Sequence, residues 1–179
     1  MPKDISSFLK AKENSPFRIR PNRIALCQIK HQVSSACIDQ ILEPEKYIPE
    51  FQRSNDKWTK KMQVKFIENI ITGCVTQISL YTTTNKEFPN WLILDGLQRL
   101  TALNLFITNE LKVFGDLTYD DVKAKISDET NPIEFKLYRF NNEIEAVEFY
   151  IAINENITHS KKDIQRAKDY LAKLKGEVI

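Results

Sequence analysis

Glycine, cysteine and histidine are scarce in this chain, with four, three and two residues among 179. An odd and sparse set of cysteines argues against a disulfide framework and for a reducing compartment. Cys27, His31, Cys37 and Cys74 include no close C-x₂₋₄-C pair of the kind structural zinc uses, so small buried thiols are expected rather than a metal site. No apolar run approaches the roughly 20 residues that span a bilayer. The opening stretch MPKDISSFLKAKENSPF has neither an apolar signal core nor a cleavage site, so the expectation is a cytoplasmic protein with no membrane partner. The residue order also lacks a P-loop, a dinucleotide-binding fingerprint, internal repeats and any arrangement suggesting a Ser-His-Asp or Cys-His triad.

What is present is an uneven spread of charge. The net charge is only +2, yet residues 1–65 hold 13 Lys/Arg against 7 Asp/Glu (+6), while residues 66–179 hold 13 against 17 (−4). The basic part includes Arg18, Arg20 and Arg23, then Lys57, Lys60 and Lys61. Such a cluster suits phosphates of nucleic acid or nucleotide; a merely solvated basic face is the alternative.

Strand and helix signals alternate along the chain. Strands are expected at 23–30, 77–84 (QISLYTTT, Ile78 and Leu80 alternating with polar neighbours), 91–94 and 133–140, with a turn at Asn85-Lys86-Glu87. Asn55 or Asp56 is expected to cap a helix in which Trp58, Met62, Phe66 and Ile70 recur, closed by Gly73. Two further helices are expected over 142–153 and 161–175, the second capped by Ser160. Asp116 and Asp120-Asp121 read as surface acids at a helix start. The fold class is therefore α+β, or mixed α/β: a compact domain with a small sheet flanked by helices.

One stretch carries chemistry. In WLILDGLQRLTAL the buried-strand run Trp91–Leu94 meets Asp95-Gly96, after which Leu100, Leu103, Ile107 and Leu111 follow at helical spacing. A helix start offers unpaired N–H groups to an anion, and Gly96 allows close approach to the main chain. Arg99 supplies a planar fork of donors for phosphate, or else a surface salt bridge. Gln98 offers a donor and an acceptor for base, sugar or water. Asp95 either assists Mg²⁺ or caps the helix.

LDGLQRLTAL closely resembles the DGQQR motif of the family that forms the N-terminal, GmrS-like part of GmrSD-type modification-dependent restriction systems. YIPEFQRSNDKW is similar to that family's upstream Pro-x-Tyr-Gln-Arg segment, and AINENITHSKKDIQRA to its downstream Ile-Asn loop. The resemblance spans about residues 33–175, leaving 1–32 as an N-terminal extension with the first strand and 176–179 as a tail, all in one structural unit. It implies a fold related to the ParB N-terminal domain and sulfiredoxin, and a domain that binds and often hydrolyses NTP in a DNA-associated setting. Asp95, Gln98 and Arg99 then become catalytic candidates, and Gln52, Arg53, Asp95, Gly96, Gln98 and Arg99 nucleotide-binding ones. Mg²⁺ would be held at Asp95. DNA would be met by Arg18, Arg20, Arg23, Lys57, Lys60 and Lys61.

Departures from the pattern refine this. Leu97 replaces the motif's first Gln, and its lack of a thiol excludes sulfiredoxin chemistry; Leu97→Gln is expected to cost little stability at a helix start. The interval from Arg53 to Trp58 is about one residue longer than usual, and Asn154-Glu155-Asn156-Ile157 lacks the family's glycines. No His-Asn-His nuclease module follows, so nuclease activity by this chain alone is not expected, and a separate nuclease or other protein is the expected partner. Hydrolysis of NTP is one reading; a non-catalytic nucleotide- or DNA-binding switch is the other. Trp58 is expected to pack in the Met62–Phe66 stripe rather than to stack on a base.

Overall fold

The structure, a computed structural model, describes residues 20–25, 38–84, 91–126, 132–155 and 161–176. Expectations for Arg18, the strand over 26–30, Cys27, His31, Cys37, the 85–87 turn, Asn156-Ile157 and the Ser160 cap lie outside these residues.

Four strands, β1 (Arg20–Ala25), β2 (Thr76–Thr83), β3 (Leu92–Asp95) and β4 (Pro132–Phe140), form one sheet in the order β1-β4-β2-β3. β4 runs parallel to β2, while β1 and β3 pair antiparallel at the two edges. The helices are α1 (Ile38–Leu42), α2 (Lys60–Ile71), α3 (Leu97–Ile107), α4 (Tyr119–Val122), α5 (Glu143–Asn154) and α6 (Lys161–Lys175). The mixed α/β class expected from the alternating signals is what the chain adopts.

Parallel strands require a crossover, and α3 and α4 supply it between β3 and β4. With α2 they cover one face, where Ile78, Leu80, Ile93, Ile133 and Phe135 meet Ile67, Leu100, Leu103, Phe106 and Tyr119. Tyr81, Leu94, Tyr138 and Phe140 pack instead on Val147, Tyr150 and Ile164 of α5 and α6. The strand expected over 77–84 forms as β2, with helices packed on both faces of the sheet. Every residue of β2 except Gln77 is buried, Ser79 and Thr82 included.

α2 also starts later than expected. Thr59 is its cap, its hydroxyl accepting from the Met62 N–H at 3.3 Å, a contact type worth about 1 kcal/mol. Asn55 is committed elsewhere, bonding Thr101 and Gln98, and Asp56 accepts from Ser54, so Trp58 precedes the helix. Gly73 does close it, at φ +103° with its N–H on Ile70. Asp121 completes a capping box with Thr118, the structural role expected for that acidic pair.

Candidate functional site

The strand-to-helix junction is real and tight. A register irregularity sets Ser79 opposite Asp95 and Leu80 opposite Ile93, so Leu94 is the extra residue of a bulge just before the turn. Gly96 then takes φ +104°, and a Cβ there would lie 3.2 and 3.3 Å from the Ile78 side chain and 3.4 Å from its Cα. Glycine is thus demanded by the left-handed turn and by β2 packed against it. No side chain caps α3.

Asp95 pairs instead with Arg99, one carboxylate oxygen lying 2.6 Å from the guanidinium. The same guanidinium donates to the Gln77 carbonyl. Arg99 is therefore fixed against β2 with its charge offset by Asp95, while the second Asp95 oxygen has no partner among the described residues.

Two buried glutamines hold the 51–58 loop against this turn. Gln98, 3% exposed, accepts from the Trp58 N–H at 3.0 Å and donates to Asn55 Oδ1 at 3.1 Å and the Ser54 carbonyl at 3.4 Å. Gln52 donates to the carbonyls of Ile93 and Leu94, both at 3.3 Å, and accepts from the Tyr150 hydroxyl at 3.0 Å and the Arg53 N–H at 3.2 Å. Burial, partly opposed by the Arg53 charge, pushes the Tyr150 hydroxyl up to about 12, so it stays a donor at ordinary pH.

Between the loop, the turn and the end of α5 lies a cleft of about 790 Å³. Arg53, Lys57 and Trp58 line it from the loop, Asp95, Gly96, Gln98 and Arg99 from the turn. Gln77, Ser79 and Tyr138 line it from the sheet, and Met62, Ile153 and Asn154 complete it. Arg53 is half-buried, and its guanidinium makes no hydrogen bond or ion pair among the described residues. Lys57 reaches Asp163 of α6 at 3.4 Å. Burial raises the Tyr138 hydroxyl above its ordinary value, Ser79 counters this by hydrogen bonding, and the Asp95 charge adds to it.

Gln52 lies behind the cleft wall rather than on it, and the remaining nucleotide-binding candidates border the cleft. The basic residues are more scattered. Lys60 and Lys61 are exposed on the first turn of α2, and Arg20 and Arg23 stand on β1, opposite Leu137 and Glu134 of β4. β1 is three inter-strand spacings from β3, roughly 14 Å. Sequence reasoning missed Ser79, Tyr138 and Asp163. The first two sit in strands whose patterning signals only core, and the third in what reads as a helix's first-turn acid.

Leu97 overturns one expectation. It is 3% exposed and belongs to the core with Ile78 and Leu100, so it does not face the cleft. Leu97→Gln is expected to lower stability by about 2 kcal/mol, the scale for burying an amide without partners. Urea denaturation checks this; an unchanged midpoint would mean the amide finds a polar route out.

The family model of the GmrSD restriction endonuclease N-terminal domain matches residues 38–177, most of the chain. No curated protein and no solved structure matches it.

Proposed function

The chain belongs to the family of the GmrSD restriction endonuclease N-terminal domain, which associates it with DNA restriction, and on that premise we propose that its cleft binds a nucleoside triphosphate. The observation that carries this is Arg53, a half-buried guanidinium lining the cleft with no side-chain partner among the described residues. Lys57 lies in the same wall, and Gly96, Gln98 and Arg99 at the start of α3, which no side chain caps, border the same cleft. Arg53 and Lys57 clamp the phosphates. Arg99, already engaged, acts by orienting Asp95.

The residues fit Mg²⁺ in a limited way. Among the described residues no group of three or more His, Cys, Asp or Glu could hold a metal, so Asp95 alone would share the ion with phosphate oxygens. Such an ion would offset phosphate charge. Asp95 is held by Arg99 through one oxygen, which leaves the other for this task, and Gln98 keeps the Trp58 and Ser54 backbone in reach of the turn.

Hydrolysis is the first reading. A nucleotide-binding switch without turnover, acting through a separate nuclease or other protein, is favoured by Gln98, whose amide is occupied by three loop contacts rather than available for a water. DNA contact is assigned to Lys60, Lys61 and the arginines at Arg18, Arg20 and Arg23, with Lys57 shared between DNA and nucleotide.

Calorimetric titration with each NTP and Mg²⁺, followed by phosphate release, tests the proposal. Arg53→Ala is expected to weaken binding by about 1.5–3 kcal/mol, as for a lost hydrogen bond to a charged group. Unchanged affinity in the folded variant would place the phosphates elsewhere. Binding without phosphate release would select the switch.

A further inference from the structure

The cleft is not uniformly polar, and its apolar side has a defined place. The loop that supplies Arg53 and Lys57 ends in Trp58, so cations and an aromatic ring share one wall. The Trp58 backbone is pinned by Gln98, and its ring meets Phe66 edge-on, with centroids 5.2 Å apart. The ring is nevertheless only half-buried, and it borders the cleft beside Met62, which is 48% exposed. A preorganised ring next to an adaptable thioether, both left partly uncovered, makes a platform for a flat π-system.

We propose that Trp58 and Met62 form a base subsite, so that the cleft discriminates a nucleoside triphosphate from bare polyphosphate by stacking the base on the Trp58 ring. This inference rests on the triphosphate reading above. Trp58 packs against the core beside Phe66, as its place in the stripe predicts, and the part of it that the core leaves uncovered borders the cleft. A cleft of about 790 Å³ is sized for a mononucleotide rather than a strand.

The chain has two tryptophans, so Trp91→Phe leaves Trp58 as the sole reporter. In that variant an NTP is expected to quench the emission, whereas inorganic tripolyphosphate binds without quenching. Trp58→Leu is expected to weaken NTP binding roughly 5- to 150-fold, the range for losing one base–aromatic stack, and to leave tripolyphosphate affinity unchanged. Trp58→Phe, which keeps a ring, should lose less and guards against a Leu variant that fails to fold. Equal weakening of both ligands, or of neither, would overturn the subsite and leave the phosphate site standing. A single-stranded oligonucleotide that quenches Trp58 at lower concentration than the NTP would overturn the mononucleotide assignment. If neither NTP nor tripolyphosphate binds, the triphosphate reading falls, and the subsite with it.

Discussion

Gln52→Ala is expected to destabilise the protein by about 3–4 kcal/mol, because each buried polar group left unsatisfied costs about 1–3 kcal/mol. Gln52 is 3% exposed and joins three segments at once: the 51–58 loop, β3 and α5. Its removal takes an acceptor from the fully buried Tyr150 hydroxyl and a donor from the carbonyls of Ile93 and Leu94. The loop carrying Arg53 should loosen too, so nucleotide affinity is expected to fall although Gln52 is not on the cleft wall. Gln52→Glu separates the two effects. Its carboxylate accepts but cannot donate, so it should lose stability while keeping the Tyr150 bond. Urea unfolding of both variants checks this, and a change below 1 kcal/mol for Gln52→Ala would mean the loop is held by other contacts.

Gly96→Ala is expected to cost about 2–5 kcal/mol. The left-handed backbone accounts for about 1–2 kcal/mol in a residue with a Cβ, and crowding against Ile78 for about 1–3 kcal/mol. Gly73 provides the control, since it shares the positive φ (+103°) but has nothing within 4 Å of an added Cβ. Gly73→Ala should therefore show the conformational part alone, and the excess in Gly96→Ala reports how closely the turn is pressed on β2. Thermal denaturation of the pair, with equal losses, would show that Ile78 yields without cost.

The junction itself was legible because its signals are local. An apolar run, Asp-Gly and then a helical repeat specify strand, turn and helix within one short stretch of chain, and β3, Gly96 and α3 fall there. The start of α2 was not. Asn55, Asp56 and Thr59 are all good caps, and the choice is made by Thr101 and Gln98, which claim Asn55 from 46 and 43 residues away. The same distance explains the glutamines. Gln52 and Gln98 could be picked as members of the site by type, but their roles depend on Tyr150, Ile93 and Trp58, whose proximity only the sheet and its helices create. Leu97 was misjudged because position on a first turn does not say which side of the helix faces the sheet; packing on Ile78 and Leu100 decides that.

Amide hydrogen exchange, with and without a saturating nucleoside triphosphate and Mg²⁺, tests most directly whether the cleft is the binding site. The account predicts slower exchange in residues 52–58 and 96–99 on addition of nucleotide, with residues 113–117, which lie away from the cleft lining, unchanged. Protection confined to other segments, or none at either the loop or the turn, would contradict it.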